Sequence, residues 1–314
     1  MRTAILVRRV VTAAASAALL LSGLSVTAPP ANASDAGSRP QLPVTYSFFQ
    51  GVLAALADPL GSPPGANDWT CTPSAEHPLP VILLHGILGN AATNNQAISP
   101  YLYNQGYCVY ALTYGADPSG LFGGLGRLHD SAAQLDALVD KVRVSTGAAK
   151  VDLVGHSEGG LLGRYYTILG GGAGKVDAVV GVAPANFING QQALTPPWDL
   201  LFQLVVDAVG PTVPVLNDFT PKSFEAMSSN GGTAAGVRYV SIASEVDLVV
   251  TPISNSFLPA APNVTNVTLQ KGCPIDHADH TAMMGDRRVF DFVANALDPV
   301  HPRTPACTTV YPFT

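Results

Sequence analysis

From residue 80 onward the chain alternates short, wholly apolar runs with longer stretches of helical spacing. Pro80-Val-Ile-Leu-Leu84 is the first such run, stopping at His85-Gly86, and it has the length and composition of a buried strand. Similar runs predict strands over residues 107–113, 150–154, 176–182, 237–243 and 264–269. Between them, Leu128, Leu135, Leu138, Val139 and Val142 recur at three- and four-residue spacing, one face of a helix. Further helices are predicted over 95–105, 161–169 and 287–297, with a short one within 44–58 that the Gly/Pro stretch 61–65 ends. Residues 115–126 read as a Gly-rich loop. Strands that are apolar nearly throughout, each separated from the next by a helix, imply an α/β fold whose central sheet is mostly parallel and covered on both faces.

The interval 187–232 breaks that rhythm, and no strand is predicted in it. Thr195-Pro196-Pro197 opens a helix that Gly210-Pro211 ends. Asp199, Gln203 and Asp207 make only a thin polar stripe on it, and apolar side chains such as Trp198, Phe202 and Val206 cover the rest. A helix this apolar needs cover, so the interval is expected to be a helical cap or lid over the site, facing an acyl groove or an oil–water interface.

The N-terminus changes the picture of where the chain works. Arg2, Arg8 and Arg9 precede an uncharged run to Val26, and Ala31-Asn32-Ala33 follows. That is the layout of a secretory signal peptide over residues 1–33, leaving 34–314 as the mature domain; the export route stays open. Losing that leader removes three of the 16 basic residues and none of the 22 acidic ones. The acidic balance excludes a nucleic-acid partner. Only 12% of residues are charged while 47% are hydrophobic, which suits an apolar substrate. Four cysteines in an exported chain imply disulfides, with three pairings open. Cys71–Cys108 is favoured because it ties the segment before one strand to a neighbouring strand, and Cys273–Cys307 because it staples the C-terminal tail.

Chemistry concentrates at Gly155-His156-Ser157-Glu158-Gly159, a G-x-S-x-G turn between a predicted strand and a predicted helix. Such a turn is too sharp for bulk beside it, so glycines flank the serine while its hydroxyl points out above the sheet. A serine hydroxyl needs a base. Of seven histidines, His277 and His280 follow the last strand, and His280, nearest the closing helix, is favoured. The stretch Asp276-His277-Ala278-Asp279-His280 also has a metal-binding composition, a weaker reading. An acid should hold the imidazole; Asp247 is favoured over Glu245, both following the 237–243 strand. Ser157, Asp247 and His280 then stand in the chain order of the α/β-hydrolase fold. The backbone N–H groups of Ile87, in the His85-Gly86 turn, and of Glu158 are the expected oxyanion hole. The Glu158 carboxylate would discourage anionic substrates.

Several stretches together, Ala66-Asn-Asp-Trp-Thr-Cys71, His77-Pro78, His85-Gly86, Gly106-Tyr-Cys-Val-Tyr110, the Gly-His-Ser-Glu-Gly-Gly turn, Val246–Pro252 and Cys273-Pro274, resemble the secreted actinobacterial lipases and esterases of the lipase class 2 family. The resemblance spans roughly residues 44–298. It implies carboxylic-ester hydrolysis, often of triacylglycerols, without a cofactor, by Ser157, Asp247 and His280 with Ile87 and Glu158 lining the oxyanion hole. A monomer with no bound metal is expected, meeting a lipid or ester substrate and carrying no membrane span after leader cleavage. The alternatives are an acyltransferase using the same residues and a non-catalytic binding protein on the same fold.

Overall fold

Six strands form one sheet among the described residues: β1 (Val81–Leu84), β2 (Val109–Ala111), β3 (Val151–His156), β4 (Val176–Val182), β5 (Arg238–Ala243) and β6 (Val264–Thr268). They lie in the order β2-β1-β3-β4-β5-β6, parallel at every pairing. The computed structural model describes residues 39–187, 213–219 and 221–314. The expected leader over 1–33 and the expected apolar helix over 195–210 lie outside the described residues. Among the described residues seven α-helices accompany the sheet: α1 (Phe48–Ala55), α2 (Ala91–Asn94), α3 (Ile98–Asn104), α4 (Leu128–Thr146), α5 (Glu158–Ile168), α6 (Pro221–Ser228) and α7 (Arg287–Leu297).

Alternation along each strand feeds two separate cores. Ile82, Leu84, Val151 and Leu153 meet Leu135 and Val139 of α4 and Leu162 and Tyr166 of α5. Val81, Leu83, Val154, Val180 and Val182 point the other way, to Ile98 and Leu102 of α3 and to Val289, Phe290 and Val293 of α7. Because both faces are covered, the central strands carry no polar face, which is why they read as runs apolar nearly throughout, with Asp152 and Asp177 the charged exceptions in β3 and β4. Each such side chain contributes about 1.5–3 kcal/mol on burial.

The edges depart from that rule in two ways. Beside β2, Asn67 takes the place of a strand residue. Its N–H donates to Val109 O, its Oδ1 accepts from Ala111 N and its Nδ2 donates to Ala111 O. The Cys71–Cys108 disulfide fastens the same segment, so the edge is closed to further pairing. At the other edge β6 exposes Thr265 and Asn266, as an edge strand must.

The part of the 187–232 interval that is described contains α6 and no strand, and it is seated on the sheet. Phe224 and Met227 of α6 join Val213, Val215 and Tyr239 in the core shared with α4 and α5. By sequence these residues read as Pro/Gly/Ser punctuation, since Phe224 and Met227 are the only large apolar side chains in the helix.

Candidate active site

At the turn from β3 to α5 the backbone of Ser157 is forced to φ 53° and ψ −119°, a region that L residues occupy only when the surroundings impose it. Ser157 N–H donates to Val182 O of β4, and its own carbonyl accepts from Gly160 N–H. A Cβ on Gly155 would collide with the Gly159–Gly160 backbone, and one on Gly159 with the Leu84 and His85 carbonyls. The two glycines therefore let strand and helix meet at this turn.

Ser157, His156, His280, Gly86 and Ile87 share the wall of one cavity of about 500 Å³. A larger adjoining hollow of about 740 Å³ shares Leu88 and Phe122 with it but has neither Ser157 nor His280 on its wall. His280 is buried, and its Nδ1 lies 2.8 Å from Asp247 Oδ2. The other oxygen, Asp247 Oδ1, accepts from the N–H groups of Val249 (2.7 Å) and Val250 (2.9 Å). Burial would raise the Asp247 carboxyl, yet the His280 imidazole and these hydrogen bonds hold it below the ordinary carboxylate range. An ionised Asp247 facing Nδ1 fixes the proton there and leaves Nε2 as the basic nitrogen. His277 and Glu245, the other candidates, are both exposed. His277 only donates its backbone N–H to Val310 O.

The remaining acids near His280 serve the backbone. Asp276 Oδ1 accepts from Ala278 N–H, and Asp279 Oδ1 accepts from Ala282 N–H. Among the described residues no group of three or more acids, histidines or cysteines converges as a metal site.

The turn after β1 is braced from below. His85 is fully buried and stacks on Tyr114 with ring centroids 4.2 Å apart. Its Nδ1 donates to Gly86 O, and its Nε2 accepts from Tyr114 N–H. Burial pulls His85 down to about 4, so it is a neutral brace. The Gly-rich loop then clamps the turn: Leu88 N–H donates to Gly123 O, and Gly123 N–H to Gly89 O. Among the described residues neither Ile87 N–H nor Glu158 N–H has a hydrogen-bond acceptor.

Two features were missed from sequence. His156 Nε2 meets His280 O at 2.9 Å, so the residue before Ser157 anchors the backbone that carries His280. Burial pulls His156 down to about 3, leaving it neutral. Its Nδ1 lies 3.0 Å from Asn94 Oδ1, which also accepts from Gly86 N–H. The second feature is a correction. Glu158 presents no carboxylate to substrate: its side chain is buried, and neither carboxyl oxygen has a partner. Burial, reinforced by Asp218, raises it well above the ordinary range, so it is a neutral acid. A Cβ on Gly124 would meet Glu158 Oε2 at 2.5 Å and Ile87 Cα at 2.9 Å, which places the carboxyl beneath the Ile87 turn.

A triacylglycerol lipase of Pseudarthrobacter phenanthrenivorans is 40% identical over 91 residues, 27% of this chain and 27% of that protein. A triacylglycerol lipase of Burkholderia plantarii is 40% identical over 91 residues, 27% and 24% of the two chains. The chain thus spans about a quarter of the length of the curated relatives it matches. Among solved structures, Aspergillus fumigatus lipase B aligns at TM-score 0.56 and 17% identity, over 78% of this chain and 57% of that one. The mature form of Bacillus licheniformis lipase BlEst2 aligns at 0.54 and 16%, over 76% and 99%. These two likenesses show the α/β-hydrolase fold. Residues 78–188, which carry both the Ile87 turn and the Ser157 turn, match the family model Lipase (class 2).

Proposed function

We propose that the chain is a carboxylic-ester hydrolase acting on lipid esters, with Ser157 as nucleophile, His280 as base and Asp247 as the acid that orients it. The observation that carries this reading is the 2.8 Å pairing of buried His280 with Asp247 on the wall of the cavity that holds the strained Ser157. Ser157 Oγ attacks the ester carbonyl carbon while His280 Nε2 takes its proton. The carbonyl oxygen becomes an oxyanion between the N–H groups of Ile87 and Glu158; their lack of any other acceptor supports this role. Collapse expels the alcohol, which leaves with the proton from His280, and an acyl-serine remains. Water then attacks the acyl carbon, His280 takes one of its protons, and the free acid departs as Ser157 regains its hydrogen. Asp247 stays ionised throughout and steadies the imidazolium at each step.

Apolar walls around the cavity and the lipase relatives favour lipid esters. Two disulfides, Cys71–Cys108 and Cys273–Cys307, support an exported enzyme. The deciding experiment is hydrolysis of p-nitrophenyl esters from acetate to palmitate by the wild type, Ser157→Ala, His277→Ala and His280→Ala. Ser157→Ala and His280→Ala should each lose at least about a thousandfold in kcat, with His277→Ala near wild type. A Ser157→Ala protein that keeps most of its activity overturns the reading.

A further inference from the structure

Helix α1 is turned the opposite way from a surface helix of a water-soluble domain. Its inner face carries Gly51 and Ala55, both buried. Its outer face and the turn that follows present Phe49 (59% exposed), Leu53 (51%), Leu56 (62%) and Leu60 (63%). These residues recur at four-, three- and four-residue intervals, so they form one continuous strip. No charged residue occurs from Pro40 to Ala57. An exposed apolar strip of this extent marks a surface that meets something apolar.

Its place in the molecule says what that is. Leu56, Leu121 and Phe122 are exposed at the surface and also line the cavity that holds Ser157. The strip therefore reaches the lip of the cavity at Leu56, where Leu121 and Phe122 also stand. The two segments are tied together: Asn90, itself buried, donates from Nδ2 both to Pro59 O, 3.1 Å, and to Leu121 O, 2.9 Å. Asn90 is in turn held as the N-cap of α2, accepting from Thr93 N–H. The charges at the rim are the acids Asp58 and Asp117, with Arg287 set against Tyr46 beyond the start of α1. Among the described residues an anionic surface finds no cationic patch along the strip, while an uncharged one meets Phe49, Leu53, Leu56 and Leu60.

We infer that α1 with its following turn and the Leu121–Phe122 loop tip form a fixed collar that seats the protein on a neutral lipid surface, with the cavity mouth facing that surface. The inference rests on the ester-hydrolase reading for its purpose, since a lipid ester would pass from the aggregate to Ser157 without crossing water. It assigns adsorption to a pre-formed part of the fold, distinct from the interval 187–232.

The test separates adsorption from turnover. Full-length protein carrying Ser157→Ala, which cannot consume the surface under the proposed mechanism, is mixed with triolein emulsion and, separately, with phosphatidylcholine vesicles. Bound protein is measured after flotation. Phe49→Asp and Leu53→Asp, neither on the cavity wall, are added singly and together. The double variant should partition at least about tenfold less, because two apolar side chains that gained by leaving water now carry charge into it. In the Ser157 background the same double variant should hydrolyse soluble p-nitrophenyl acetate within about twofold of wild type, as it touches no residue of the cavity. Unchanged partitioning of the double variant overturns the collar. So does wild-type self-association that the double variant abolishes while lipid binding stays the same, for the strip would then bind a second copy. Loss of soluble-ester hydrolysis by the wild type would sink the ester-hydrolase reading and leave the flotation result standing.

Discussion

A carboxyl group directly after Ser157 would be an electrostatic hazard to the proposed mechanism if it ionised. The Glu158 N–H faces the developing oxyanion in the proposed mechanism, and the side chain lies beneath the Ile87 turn that supplies the second donor. A negative charge there would oppose the charge those donors are meant to stabilise. The surroundings keep the group neutral. It is fully buried with no partner for either oxygen, and the field of Asp218 also favours the protonated form. Asp218 is itself held 2.6 Å from Arg127, and Tyr114 on the other side is raised by burial and stays neutral. Burial holds the Glu158 carboxyl well above its ordinary range, so raising the pH far enough should ionise it and depress kcat. Glu158→Gln keeps size, neutrality and backbone N–H but cannot ionise. It should retain near-wild-type kcat at pH 7 and keep that rate to higher pH, so that the alkaline limb of the kcat profile shifts upward. Superimposable limbs for the two proteins would show that Glu158 does not limit the reaction.

At the scale of elements, the loop that carries His280 is joined to α7 by a pair of acids. Asp286 caps α7, accepting from Arg288 N–H at 2.8 Å, and Asp276 accepts from Ala278 N–H two residues before His280. Their remaining oxygens adjoin, and neither has a donor from elsewhere. One proton shared between them satisfies both. Burial, with the Asp276 charge beside it, pushes Asp286 up to about 8, far above about 4 in an unfolded chain. Because the folded state holds the proton more tightly, its contribution is fully present below about pH 4 and is lost as pH rises toward 8. Asp286→Asn keeps the cap and offers Asp276 an N–H at every pH. Its melting temperature should therefore exceed that of wild type by several degrees at pH 9, with the difference shrinking toward pH 5. A constant difference between the two proteins across that range would mean that no proton is shared. The same elements show where sequence was legible. The bounds of β4 and α7 follow from their apolar patterns alone, since Val176–Val182 and Arg287–Leu297 are buried at the expected spacing. Chain order also singles out Ser157, Asp247 and His280, which the fold brings to one end of the sheet. Helix α6 was not legible, because two apolar residues in eight are too few to set a period. Nor was the anchoring of the His280 backbone by His156 and Asn94, or the neutrality of Glu158. Those depend on which distant segments close over a side chain, and no local pattern encodes that.

For the molecule as a whole, the two disulfides close loops of nearly equal length but hold different things. Cys71 and Cys108 are 37 residues apart, Cys273 and Cys307 are 34 apart. In the chain-entropy account each restricts the unfolded chain by about 3–4 kcal/mol, so removing either should lower the melting point by a similar amount. Their effects on catalysis should differ. The first bond fastens the Asn67 segment to β2 at the sheet edge. The second holds the C-terminal tail, where Ala306 N–H donates to Asp291 of α7, Arg288 donates to Ala306 O, and Val310 O accepts from His277 N–H beside the His280 loop. Without Cys273–Cys307 the tail can leave α7, and the loop bearing His280 loses a neighbour that fixes its path. The paired substitution Cys273→Ser with Cys307→Ser should therefore lower kcat several-fold at a temperature well below its melting point. Cys71→Ser with Cys108→Ser should leave kcat near wild type while melting as early. Assays of both double variants on a soluble ester, each at an equal interval below its own melting temperature, compare them fairly. Equal kcat in the two would mean that the tail serves stability alone and that the His280 loop keeps its path through Asp276 and His156 without it.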